Sequence, residues 1–560
     1  MNDSRDTTET TTLSRIRIDD EESVGRAGRR RRDDGPASVG RRRRDDTPRP
    51  ARSHRTRERL ALLLSLWPLL PILVVQSVFA WRLVVTNTAF LDEATYMWSG
   101  RLVVDHFLHG RKLPEFQTFF SGAPVLYPVL AAVASKLGGL TGARLLSLAF
   151  MLLTTTAVFL TGRRLHGALT GFFAAGLFAA LGSTLHLSAF ATFDAMALCL
   201  LAWSTYFVIR FAYGLSRNAL LYAAILMVLA DCTKYASLLW NPIIIALAAT
   251  TGPGYAAWRC SRTWNLQRFA MVSTTLLALA IVIGRQPYFT GFDSTTLQRG
   301  ASDSSTKSIL DSVAGWIGPL LALALLGMLV ALWQLRRGTR TRPELATFAL
   351  LLLAGLLAPA NQLRIHTLLS LNKHVAFGAS FAAIPAGYLL ARLVGVLSGT
   401  WQTSRARHAV AAAAIALAAL IPLNLTGVKS GTALHDAWPN STKLIAALKP
   451  LVHKGTEKYL VEDDYVAAYY LPNINYEQWR DTFSTSYDDS TTRTTLTGVV
   501  AFKAAILAHE YKIIVLNYGD TQATDDAITG TINKAKYRRV ARIPVKYGSS
   551  NVVYDIWEAP

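Results

Sequence analysis

Carboxylates are scarce in the middle of this 560-residue chain. Between residues 60 and 427 there are ten Asp and Glu against 26 Lys and Arg, and charged residues make up 17% of the whole. An average soluble protein carries roughly 25%. So long a stretch with so little negative charge, rich in Leu and Ala, excludes a soluble globular enzyme and marks a polytopic membrane domain. Cysteine is almost missing too. Cys199, Cys232 and Cys260 lie in or beside apolar runs without metal-ligand spacing, so no disulfide framework is readable from them. The net charge of +21 divides into +5 for residues 1–59, +16 for 60–427 and zero for 428–560. Most of the positive excess therefore sits between hydrophobic runs, where it sets orientation, and no nucleic-acid partner is expected.

Residues 1–59 hold 17 Arg, 12 acids and a repeated GRRRRDD, at 28–34 and 40–46. They have too little apolar surface to build a core and read as a disordered cytoplasmic tail. Apolar runs at 60–81, 143–161, 168–187, 195–212, 219–232, 235–251, 269–285, 314–335, 344–360, 375–395 and 409–427 predict about eleven transmembrane helices. Segment 124–137 is apolar but short for a crossing of about 20 residues, so it is expected to be re-entrant or interfacial. If it does not cross, the arginines at 163–164, 217, 259–268, 336–342 and 405–407 all face the cytoplasm, as positive charge should. Nine of the ten carboxylates of this domain then face outward, all but Glu344. Residues 428–560 have balanced charge, β-like runs at 458–462, 512–517, 537–544 and 551–558, and helical stretches at 441–449, 498–509 and 522–535. They predict an extracytoplasmic α/β domain, with a recognition or lid role because no glycine fingerprint or nucleophile elbow occurs in it.

Chemistry is sought among the scarce charges. Asp92 and Glu93, in LDEATY after the first span, read either as a general base beside a second carboxylate or as a solvated loop with an acidic helix cap. Asp194 heads an apolar span, as an N-cap or as a carboxylate facing a cavity. Lys234, Arg285, Arg364, His366, Lys373 and His374 fall on the same predicted outer face. Positive charge there runs against the orientation rule, and such groups grip phosphate. His106 and His109, with Asp105, form a loop cluster with no further metal spacing. Tyr96, Tyr235 and His106 join Asp194 as candidates for sugar or acceptor contacts.

The stretches FLDEATYMWSGRLVVDHFLHG (90–110), FSGAPVLYP (120–128), ARLLSLAFMLLTTTAVFLTGRRLHG (143–167), FATFDAMAL (190–198), LADCTKYASLL (229–239) and RIHTLLSLNKHVAFGASFAAIPAGY (364–388) resemble GT-C class glycosyltransferases. Within that class they are similar to the protein O-mannosyltransferase and lipid A aminoarabinose transferase group, including bacterial glycosyltransferase family 39-like members. The resemblance covers residues 60–427. It implies a GT-C membrane fold and transfer of a sugar from a polyprenyl-phosphate donor to an extracytoplasmic glycan, lipid or protein acceptor. Asp92 would activate the acceptor, Asp194 would be the second acidic residue, and the basic set would hold the lipid phosphate. The sugar-binding-like repeats of the classical mannosyltransferases have no counterpart here. No cofactor is required, although a divalent metal bridging Asp92 and the phosphate stays open. So do two other classes, a transporter and a non-catalytic envelope-assembly protein.

Overall fold

In lipid a backbone can satisfy its own polar groups only by coiling into helices or closing a barrel. The long Leu/Ala runs take the first course. The computed structural model describes residues 66–560 except 217, 253–257, 299–303, 399–404, 490–492 and 548–549. The expected tail, with its GRRRRDD repeats, lies outside the described residues.

Among the described residues, eight helices are long and apolar enough to cross a membrane: Trp67–Val84, Tyr127–His166, Phe193–Ala212, Arg262–Arg285, Thr306–Arg336, Arg342–Arg364, Leu371–Ser398 and Ala406–His435. Ala168–Ala179 and Gly182–Ser188, bent by 73° between them, form a ninth if they act as one span. The remaining two of the eleven expected segments fold as shorter apolar helices, Ala219–Thr233 and Tyr235–Thr250. Local signals set several ends. Thr341 N–H donates to the Glu344 carboxylate at 2.9 Å, closing a capping box ahead of Arg342–Arg364. Segment 124–137 is helical from Tyr127, and a non-helical Gly138–Gly139 step, with Gly139 at φ 62°, breaks it from the long helix that follows.

Leu371–Ser398 is the axial helix, packed against Thr306–Arg336, Ala168–Ala179 and Arg342–Arg364. At one end of the bundle, His166 stacks on Phe348 and Arg340 lies over Phe348 and Tyr388, while Arg164 covers Tyr213. The basic clusters thus gather there. Phe193, the first residue of the 20-residue helix that ends just before Tyr213, marks the other end, about 30 Å away at 1.5 Å per residue.

At that second end sits a five-stranded sheet of order β2-β1-β5-β7-β6. Its strands are β1 (Lys458–Val461), β2 (Trp479–Arg480), β5 (Tyr511–Leu516), β6 (Arg538–Tyr547) and β7 (Ser550–Glu558); β3 (Ser486–Asp489) and β4 (Thr494–Thr497) pair separately. β1 runs parallel to β2 and β5, and β7 runs antiparallel to β5 and β6, with Leu460 opposite Ile514 and Ile514 opposite Trp557. Alternation along β5 serves two cores. Ile513 and Val515 pack with Leu444, Leu448 and Tyr459. Ile514 and Leu516 pack with Phe502, Ile506, Ile528 and Ile532, from the helices Gly498–Leu507 and Gln522–Lys534. The segments expected as strands and helices are therefore such elements. Among the described residues the sheet region and the helices belong to one compact unit. The helix expected to end at 427 runs to His435, and Val466 and Tyr469 of the Asp464–Tyr470 helix join the core around Ala94 and Met97.

Candidate active site

The segment around Asp92 is a helix, Leu91–His109. Its start is held from two sides. Glu93 at N3 accepts a hydrogen bond from Phe90 N–H at 3.0 Å. Its two oxygens also receive Arg144 Nε at 2.8 Å and Nη2 at 2.7 Å, and Ala191 N–H donates to Oε1 at 2.8 Å. Both side chains of this ion pair are fully buried. Arg144 further donates to the carbonyls of Val84 at 3.2 Å, Thr86, and Thr88 at 3.2 Å, at and just beyond the end of the first span, where helix carbonyls run out of partners. Adjacent carboxylates therefore have opposite fates. Glu93 faces inward and joins the first span, its own helix and the loop leading to Asp194. Asp92 faces a cavity and is ion-paired to Lys373 at 2.8 Å, with about a third of its side chain exposed.

That cavity holds about 920 Å³, within the ~300–1,000 Å³ range of small-molecule sites. Asp92, Lys234, Arg364, Lys373 and His374 line it together with Tyr96 and Tyr235. Aromatic rings supply much of the rest, among them Phe90, Phe190, Trp240 and Trp438. Lys234 is buried, ion-paired to Asp194, and lies 4.9 Å from the centre of the Phe193 ring. Asp194 also accepts from Thr192 Oγ1 at 3.1 Å, so it stands behind Lys234 and orients it. A short stretch clamps this lysine. Ala123 N–H donates to Cys232 O at 2.7 Å and Tyr235 N–H donates to Ser121 O at 2.8 Å. Between them Gly122 passes so close that a Cβ would sit 2.0 Å from Thr233 O.

Opposite, the Arg342–Arg364 helix and the axial helix meet through a connection with two left-handed residues, His366 and Ser370. Gln362 Nε2 bonds to His374 Nδ1 at 3.1 Å, and Arg364 Nη2 donates to Asn361 Oδ1 at 3.1 Å. Arg364 has no carboxylate within ion-pair distance among the described residues. Three of the sequence candidates lie away from the cavity. Arg285 is exposed at a helix break, at φ 49°. His366 is exposed, at φ 46°. His106 contacts Arg111 O in the last turn of its helix, about 21 Å along the axis from Asp92.

Arg144, Gln362, Asn361, Trp438 and Asp520 were not singled out from the sequence. Only Arg144 carried a local signal, as an arginine inside an apolar span. The others come together only through the fold. Trp438 Nε1 donates to Thr88 O at 3.0 Å, and Asn87 Nδ2 donates to His435 O at 2.9 Å and Trp438 O at 3.1 Å. Tyr470 Oη receives Ala89 N–H at 2.9 Å. Among the described residues no three His, Cys, Asp or Glu side chains come together as a metal site.

Residues 123–285 match the family of Dolichyl-phosphate-mannose-protein mannosyltransferases. A comparison with curated protein sequences gives no match. In structure the chain is similar to ArnT from Cupriavidus metallidurans in the apo state, with TM-score 0.54 and 15% identity over 87% of this chain and 97% of that one. The same protein bound to undecaprenyl phosphate matches with TM-score 0.53 and 15% identity, over 88% and 97%. The oligosaccharyltransferase AglB from Archaeoglobus fulgidus, in complex with an inhibitory peptide and a dolichol-phosphate, matches with TM-score 0.51 and 14% identity, over 86% and 74%. At these identities the likeness establishes the fold. The chain is a multi-pass membrane protein with the GT-C glycosyltransferase fold, and its residues 123–285 are similar to the dolichyl-phosphate-mannose-protein mannosyltransferase family.

Proposed function

We propose that this protein transfers a sugar from a polyprenyl-phosphate donor to an extracytoplasmic glycan, lipid or protein acceptor, with the cavity as its active site. The observation that carries the reading is a carboxylate of the helical bundle, Asp92, facing the same 920 Å³ space as Lys234, Arg364, Lys373 and His374. Sugar transfer from a lipid phosphate needs that division of charge. The acceptor oxygen or nitrogen attacks the anomeric carbon opposite the phosphate and loses its proton to Asp92. The carbon–oxygen bond to phosphate breaks, and its electron pair stays on the phosphate. The leaving group is already acidic, so stabilising its charge matters more than protonating it, and fixed cations do so best in a water-poor site. Attack from that side inverts the anomeric centre.

Asp194 serves by holding Lys234 in place, and Glu93 by fixing the turn that presents Asp92. Polyprenyl chains need an apolar path, which the aromatic lining supplies. A transporter reading finds less support, because the carboxylates and cations converge at a single end of the bundle and not at its midplane. The orientation that places this end outside follows from the gathering of arginines at the other.

The test is transfer in proteoliposomes supplied with radiolabelled polyprenyl-phosphate sugars. Asp92→Asn should fall to background while the protein still accumulates and binds lipid phosphate. Turnover within threefold of wild type in that variant would refute Asp92 as the base.

A further inference from the structure

Asp520 enters the cavity from a distant part of the chain. It sits in the turn after β5, between the sheet and the Gln522–Lys534 helix, and lines the same space as Asp92. The turn is built to hold it. Glu462, at the end of β1 and almost fully buried, accepts three backbone N–H groups: Asn517 at 2.9 Å, Gly519 at 3.0 Å and Thr521 at 3.1 Å. Asp525, also buried, accepts Tyr518 N–H at 3.1 Å, and Asp463 accepts Asn517 Nδ2 at 2.8 Å. Tyr518 is kept at φ 55°, a left-handed conformation costly for a bulky residue and maintained only where the surroundings impose it. Three carboxylates are thus consumed in fixing one turn, and the carboxylate at its tip faces the cavity.

The charge of that tip sets it apart from the cations of the site. Lys234, Lys373, Arg364 and His374 supply positive charge for a phosphate. Asp520 repels a phosphate, as does Asp92, but both accept hydrogen bonds from hydroxyl groups. Partial burial, with the charges of Glu462 and Asp92, holds the Asp520 carboxyl above its usual range, which fits a group whose negative charge is compensated only when donors arrive.

We propose that Asp520 binds the hydroxyl groups of the donor sugar, so that the C-terminal sheet region reads the sugar while the helical bundle holds the lipid phosphate. This rests on the donor reading given above. Hydroxyls to a carboxylate are charge-assisted bonds, and losing them should cost about tenfold in affinity.

The probes are bare undecaprenyl phosphate and the same lipid phosphate carrying mannose, glucose, galactose or arabinofuranose, with binding to nanodisc-embedded protein measured by native mass spectrometry. Wild type should bind one of the glycosylated lipids more tightly than the bare lipid. Asp520→Asn should bind the bare lipid within twofold of wild type yet lose about tenfold of the preference for the sugar. Asp526→Asn, an exposed carboxylate on the following helix, should alter neither. An unchanged preference in Asp520→Asn, or no preference in wild type, overturns the role of Asp520 while leaving the phosphate site standing. If wild type fails to bind bare undecaprenyl phosphate, the donor reading itself falls and this inference with it.

Discussion

Adjacent carboxylates in this protein should behave as opposites when each is replaced by its amide. Glu93→Gln removes the negative charge from a pair in which both partners are fully buried. Breaking such a pair from one side leaves a charged guanidinium in a dry interior, at a cost of about 3–5 kcal/mol. The amide also offers an N–H where Arg144 presents its own donors. One of Phe90 N–H and Ala191 N–H then loses its acceptor, worth about 1–3 kcal/mol for a buried group. The losses overlap, and about 4 kcal/mol is expected, a large share of the ~5–15 kcal/mol that holds a typical fold together. Asp92→Asn breaks a pair whose carboxylate is about one-third exposed, and about 0–1 kcal/mol is expected. Reversible unfolding by steric trapping in bicelles measures both. The double variant Glu93→Gln/Arg144→Gln should recover only part of the loss, because the carbonyls of Val84 and Thr86 lose the Arg144 donor as well. Equal stabilities for Glu93→Gln and Asp92→Asn would refute the division of labour between these neighbours.

Two further outcomes follow from other parts of the structure. Gly122→Ala places a Cβ 2.0 Å from Thr233 O, so the Ser121–Tyr235 clamp must open. Folded yield should fall severalfold in detergent-resistant fluorescence assays, whereas Gly315→Ala, with open space around its Cβ position, should express as wild type. Stability should also depend on pH through the sheet. Burial and the charges of Glu462 and Asp520 push the Asp463 carboxyl up to about 7, and burial with the hydrogen bond and charge of Glu462 raises that of Asp525. Both hold a proton more tightly folded than unfolded. Their contribution is full below the unfolded value of about 4 and is lost as pH rises through the folded one. Melting temperature should therefore decline from about pH 5 to pH 8, and Asp463→Asn should flatten that decline.

Much of this fold is written locally. A lack of carboxylates is a one-dimensional signal, and it marked the helical region because lipid tolerates few charges anywhere along a span. The β5 run and its flanking helices were likewise legible, since alternation and periodicity are local properties. Segments 219–232 and 235–251 show where that logic thins, because hydropathy registers an apolar run without distinguishing a full crossing from a shorter helix. The helix Leu91–His109 has no clear periodic signal because its face is mixed, with Tyr96 and Met97 inward and Phe107 exposed. The roles of Asp92 and Glu93 could not be separated in sequence, since orientation depends on Arg144, 51 residues on. Asp520 carries no local mark at all. It reaches the cavity through the fold, in which the Asp464–Tyr470 helix after β1 packs on the Leu91–His109 helix.

That same arrangement bears on how the protein comes into being. Asn87, Thr88 and Ala89, the residues that lead into Asp92, are fastened by His435, Trp438 and Tyr470. His435 is the final residue of the last long apolar helix, and Trp438 and Tyr470 are synthesised after it. A chain still emerging from the ribosome with every span already in the bilayer lacks the Trp438 and Tyr470 fastenings, and its Asp92 turn is only partly supported on that side. Support for the Asp92 turn is therefore completed late, once the translated chain passes residue 470, and Asp520 joins the cavity later still.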